Sequence, residues 1–151
     1  DEAEERYGAL LPSERDGQSG LFYPAVIRSL QAVISASDII RMIEIARQVH
    51  VSPAVKGYII DIAEATRVEP DLLLGASPRA SLYLQRAART TAVVAGRDYV
   101  APDDVKRMIG PVFNHRLIVR PEALMRGVGV DEILERVAKN VPVPGTRVAA
   151  G

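Results

Sequence analysis

Apolar positions recur at helical spacing along most of the chain after residue 35. Val55, Tyr58, Ile59, Ile62, Ala63 and Thr66 fall at intervals of three and four, which puts them on one face of a helix. Ser52-Pro53 just before them is a start signal: the serine hydroxyl accepts an orphan N–H of the first turn, and proline at the first helical position has no N–H to leave unpaired. Ser77-Pro78 repeats the signal and opens a longer helix, with Gly96 as its stop. Ser35-Ala36-Ser37-Asp38 has capping-box spacing and predicts a helix to about residue 49, with Ile39, Ile43 and Ala46 on one face. Pro102-Asp103-Asp104 opens another, ending near His115, and Asp131 caps a last one that stops before Val141-Pro142-Val143-Pro144. Between these, Arg97 to Val100 reads as a short extended piece, Leu117-Ile118-Val119 as a short strand, and Gly127 to Gly129 as a break. Upstream, residues 2–11 read as a helix and 12–24 as a loop or linker. The expectation is an all-α bundle with two short β-strands at most. Its core should include Ile43, Ala46, Tyr58, Ile59, Ile62, Leu82, Val105 and Ile109.

Composition narrows what such a bundle does. With 2 Phe, 5 Tyr and no Trp, the core must be aliphatic. Nineteen basic residues balance nineteen acidic ones, which disfavours a free-standing nucleic-acid binder. The absence of cysteine excludes disulfides and thiolate metal sites. His50 and His115 stand far apart with no ligand spacing, so no metal centre is expected. No apolar run reaches the ~18 residues of a membrane span, and an acidic opening is unlike a signal peptide. The cytoplasm is the expected setting. The chain opens at Asp1, inside what reads as a helix, so it is expected to be a piece of a longer protein.

The most informative segment is Gly75-Ala76-Ser77-Pro78-Arg79-Ala80, preceded by Ala65-Thr66-Arg67 at a helix end. Ala95-Gly96-Arg97-Asp98-Tyr99-Val100, Pro102-Asp103-Asp104-Val105, His115-Arg116-Leu117 and Val141-Pro142-Val143-Pro144 follow in order. This ordered set resembles the C-terminal helical lid of the MoxR family of AAA+ ATPases, and the hexapeptide resembles its sensor-2 motif. Residues 12–31 carry none of the family's motifs. The resemblance implies a division into the end of an ATPase core with a linker (1–34), a helical lid (35–145) and a flexible tail (146–151). It also implies a chaperone-like, usually hexameric machine using ATP and Mg²⁺ in the intact protein, with partners that carry von Willebrand factor A domains.

The chemistry fits that implication. Phosphoryl transfer is promoted by positive charge held against the phosphate oxygens. Ser77 caps, Pro78 fixes the first turn, and Arg79 projects from it, beside free N–H groups that favour an anion. Ser77, Pro78 and Arg79 are therefore the expected nucleotide-binding residues, and Arg79 the one acting in catalysis. The bland alternative for Arg79 is a solvated helix-start arginine; the surrounding motifs weigh against it. Arg67, at a helix C-terminus, reads as structural. Arg86 and Arg89 read as solvated or as part of a subunit interface, Asp103 and Asp104 as dipole-matched acids, and His115-Arg116 as a helix cap. The chain holds no Gly-x-x-x-x-Gly-Lys-Ser/Thr loop, so by itself it is not expected to hydrolyse ATP. Two other readings compete: a stand-alone helical interaction adaptor without nucleotide chemistry, and a helix-turn-helix DNA binder, disfavoured by zero net charge.

Overall fold

Residues 33–145 are described by the structure, a computed structural model; the readings of 2–11, 12–24 and the tail 146–151 lie outside them. The chain divides into two units, residues 1–39 and 40–151. Of the first, the described part is a turn and the start of α1 (Ala36–Gln48), fixed by a complete capping box. The Ser35 Oγ accepts the Asp38 N–H at 3.2 Å, and the Asp38 carboxylate accepts the Ser35 N–H at 2.9 Å.

The second unit carries the rest. α2 (Pro53–Arg67), β1 (Leu72–Leu74), α3 (Pro78–Val94), α4 (Pro102–Phe113), a 3₁₀ turn (Asn114–Arg116), β2 (Ile118–Val119), α5 (Pro121–Met125) and α6 (Val130–Asn140) follow in order. α2 and α3 start where expected: the Val55 N–H donates to Ser52 Oγ at 3.2 Å, and the Ala80 N–H to Ser77 Oγ at 3.3 Å. α3 ends in a Schellman motif. Gly96 takes φ +71°, its N–H bonds the Val93 carbonyl, and the Arg97 N–H bonds that of Ala92, both at 2.9 Å. α3 and α4 form the most extensive helix pair, while α2 and α6 pack on this pair and on each other. The core runs through Tyr58, Ile62, Leu84, Val105, Phe113, Ile133 and Val137, all almost wholly buried.

The all-α expectation holds, with corrections inside it. Leu82 is 57% exposed, whereas Leu84 is fully buried. The buried stripe of α3 is Ala80, Leu84, Ala88 and Ala92, four residues apart, and Leu82 and Tyr83 lie outside it by their position on the helix. Ile43 is 47% exposed and Ala46 only half-buried; α1 has the apolar periodicity, yet no residue of it is buried. The strand expected at 117–119 exists as β2, but its antiparallel partner is the unexpected β1, with Leu72 opposite Val119 and Leu74 opposite Ile118. Arg97 to Val100 makes only a parallel bridge at Tyr99: the His50 N–H bonds the Asp98 carbonyl and the Val100 N–H bonds that of His50. α5 was not expected from periodicity, being only 5 residues long.

Ion pairs lock the joints. The Arg97 guanidinium meets buried Asp104 through two bonds of 2.8 and 2.7 Å, and Asp104 also accepts the Ala101 N–H at 2.8 Å. Arg136 of α6 bonds Glu69 at 2.6 Å and Asp71 at 2.7 Å, and Arg126 also bonds Asp71. Hydrogen bonding from Arg97 holds the Asp104 carboxyl below the usual carboxylate range, burial acting against it.

Two outcomes follow for stability. Leu84→Ala should cost about 2–5 kcal/mol, as for a buried leucine, and Leu82→Ala less than about 0.5 kcal/mol; urea denaturation of the two variants decides whether the register of α3 is right. Because the folded Asp104 has a depressed pKa, its contribution is fully present above the unfolded value near 4 and fades as pH falls below it. Asp104→Asn should flatten that acid limb of the stability curve, and an unchanged limb in the variant would show that Asp104 has no part in it.

Candidate functional site

The site is built where the last turn of α2 meets the loop before α3. Thr66 is fully buried, and its hydroxyl is used twice: it donates to the Ala63 carbonyl at 2.6 Å and accepts the Ala76 N–H at 2.8 Å. The Arg67 Nε donates to the Ala76 carbonyl at 2.8 Å. Both polar groups of the Ala76 backbone are thereby bonded to consecutive side chains of α2. This requires near-contact of two backbones, and Gly75 permits it: a Cβ there would lie 2.6 Å from the Thr66 carbonyl oxygen and 2.7 Å from the Arg67 Cα. With the loop pinned, Ser77 caps α3, Pro78 takes the first turn, and Arg79 stands exposed at the second position.

An open cleft of about 580 Å³ lies beside this loop, lined by Arg67, Arg79, Tyr83 and Arg116 among others. Ser77 and Arg79 thus sit in the cleft wall; Pro78 lies between them without lining it. Arg116, at the end of the 3₁₀ turn, donates from Nη1 to the Val112 carbonyl at 2.6 Å, contacts the ring of His115, and lies 5.1 Å from the centroid of Tyr83. The capping role expected for His115-Arg116 is present, but the same arginine also faces the cleft. Among the described residues, no carboxylate pairs with Arg67, Arg79 or Arg116, nor with Arg41, Arg47, Arg86 or Arg120 elsewhere; Arg97, Arg126, Arg136 and Lys139 have acidic partners. The cleft therefore collects positive charge in a chain whose charges balance overall. Arg86 lies 5.8 Å from the Tyr83 centroid, outside the cleft lining; Arg89 is half-buried with its Nε unpaired among the described residues. Asp104 serves Arg97 and the α4 N-terminus. Among the described residues, no group of three or more His, Cys, Asp or Glu is placed to hold a metal, and no helix is long and apolar enough to cross a membrane.

Sequence reading picked out Ser77, Pro78 and Arg79 and missed Tyr83 and the cleft-facing side of Arg116. Tyr83 could have been found: it stands four residues after Arg79, one turn along the same helix face. Nothing local ties it to Arg116.

This arrangement defines a class. The AAA lid domain family matches residues 64–137, which span the cleft from α2 to α6. Among named relatives, the Chaperone MoxR1 of Mycobacterium tuberculosis is 37% identical over 74% of this chain and 32% of its own length. The Protein MoxR of Paracoccus denitrificans is 34% identical over 63% of this chain and 32% of its own. YeaC of Bacillus subtilis is 35% identical over 82% of this chain and 38% of its own. A crystallised chain from Cytophaga hutchinsonii, described as a candidate ATPase, superposes with a TM-score of 0.70 at 28% identity, over 87% of this chain and 44% of that one. The chain carries an AAA lid domain and resembles the corresponding part of the MoxR proteins. It spans about a third of the length of the curated relatives it matches.

Gly75→Ala should disturb the cleft more than its size implies, since the new Cβ meets backbone that cannot step aside. A destabilisation of about 1–3 kcal/mol is expected, typical of overpacking. Gly57→Ala, mid-helix with nothing within 4 Å of its Cβ, should instead be neutral or stabilising by up to about 1 kcal/mol. Thermal melts of the pair test this; equal and small effects would mean the loop does not depend on the close approach.

Proposed function

We propose that this lid reads the phosphates of a nucleotide through Arg79 and passes that state to the packing of subunits in a MoxR-type ATPase. The observation that carries the reading is the position of Arg79: in the first turn of α3, on a loop fixed to α2, in a cleft whose three guanidiniums lack acidic partners among the described residues. Ser77 and Pro78 hold that first turn, and its orphan N–H groups add partial positive charge. A phosphate chain fits such a wall; the residues that would hold Mg²⁺ are not offered by it. The nucleotide supplies the phosphate to be cleaved. What these residues do is place one cation, carried on a pinned loop, against it and couple that contact to the orientation of α3.

A single exposed charge contact is worth less than about 1 kcal/mol, so the lid alone should hold ATP weakly and need an ATPase core to complete the site. On the family resemblance, the intact protein would be a chaperone-like cytoplasmic machine, hexameric, with von Willebrand factor A domain partners, binding ATP with Mg²⁺ and hydrolysing it.

The test is Arg79→Ala in the full-length protein. The fragment's stability should change by no more than about 0.5 kcal/mol, as at a surface site, while ATPase turnover falls by about tenfold or more, the scale of a lost transition-state charge contact. Rescue by mixing with subunits that keep Arg79 but have a dead phosphate loop would place the contact across the interface. Wild-type turnover in the Arg79→Ala protein would reduce the residue to a solvated helix-start arginine.

A further inference from the structure

We infer that Arg116 is a second phosphate-binding residue of this cleft, acting with Arg79 on the same polyanion. The inference rests on the cleft reading above and extends it to a residue from a different element. Arg79 stands at the beginning of α3, and Arg116 ends the 3₁₀ turn that continues α4, so their meeting in one cleft is a product of the fold.

Two features of Arg116 separate it from an ordinary surface arginine. Its side chain is held before any ligand arrives: Nη1 is bonded to the Val112 carbonyl and touches the His115 ring, and the guanidinium lies 5.1 Å from the Tyr83 centroid. A guanidinium ordered in this way has less rotamer entropy to lose on binding. The bonds that hold it use one terminal nitrogen, leaving Nε and Nη2 unused among the described residues, and those two donors form the edge that grips a phosphate with two parallel bonds. It has no acidic partner among the described residues, as is also true of Arg86 and Arg120, so no carboxylate there competes for its free edge. Arg67 adds a third charge to the same wall while its Nε holds the Ala76 carbonyl.

The ligand class follows from the count of charges and the donor geometry. A lone carboxylate would be matched by one arginine. Two or three guanidiniums with a capped helix start between them suit an anion of several charges spread over linked groups, which is a di- or triphosphate chain. Bridging the start of α3 and the end of α4 with one ligand would also make binding sensitive to how those two helices sit.

The experiment uses the ¹⁵N-labelled 151-residue chain and sodium tripolyphosphate at low ionic strength, followed by NMR at the backbone amides of Ala80 and Tyr83 and the Nε–H groups of Arg79 and Arg116. Saturable shifts at both arginines are expected, with a dissociation constant on the order of millimolar for a few exposed contacts. Arg116→Ala should weaken binding by about threefold or more; Arg116→Lys, which keeps the charge and loses the fork, should weaken it by less. The amide spectrum of each variant reports whether it is folded. Arg86→Ala is the control, since Arg86 also approaches Tyr83 but does not line the cleft. Equal weakening in the Arg86 and Arg116 variants would overturn the proposal as a bulk charge effect. Loss of binding in Arg79→Ala with none in Arg116→Ala would overturn it and leave the Arg79 reading standing. Tighter binding of hexaglutamate than of tripolyphosphate would overturn the phosphate assignment, and so would the absence of saturable binding.

Discussion

The cleft depends on how closely one loop lies against the end of α2. Both backbone polar groups of Ala76 are bonded to α2 side chains, its N–H to the Thr66 hydroxyl and its carbonyl to the Arg67 Nε. Each bond alone contributes about 1 kcal/mol. Together they leave the loop one position, and the absent side chain of Gly75 lets that position exist. The cap at Ser77, the fixed φ of Pro78 and the outlook of Arg79 inherit their placement from this contact. Thr66 and Arg67 are therefore as much part of the site as the residues that face the cleft, although neither was chosen for that reason from sequence.

What was readable along the chain was short-range chemistry. Ser35, Ser52 and Ser77 each cap a helix because a hydroxyl reaches an N–H three residues on, and such a bond is decided within one turn. Gly96 ends α3 for a similarly local reason. What failed depended on partners distant in sequence. Leu82 is expected in the aliphatic core, yet α3 packs through Ala80, Leu84, Ala88 and Ala92, and Leu82, two residues from both Ala80 and Leu84, falls on the opposite face. β1 went unseen because three leucines become a strand only when β2 arrives from the far side of α4. The site divides along the same line: Ser77, Pro78 and Arg79 are neighbours and were legible, whereas the approach of Arg116 to Tyr83 requires the whole α3–α4 pair.

The polar joints are distributed to match. Asp104 closes the turn between α3 and α4 through Arg97, and Asp71 ties the segment before β1 to Arg126 and Arg136 on the other side of the unit. Neither joint is in the cleft. Asp104, Glu69 and Asp71 hold elements together, and none of the three lines the cleft.

The α3–α4 pair also acts as a measuring rod. A helix of 17 residues is about 25 Å long; the 12 residues of α4 with the three of the 3₁₀ turn return about 24 Å along it. The two lengths agree to within the rise of a single residue. That agreement returns the chain to the level of Arg79 just as it reaches Arg116. One residue inserted in either helix would turn its far end by about 100° and carry it past its counterpart, so chain length between the two arginines is under the same constraint as their identity.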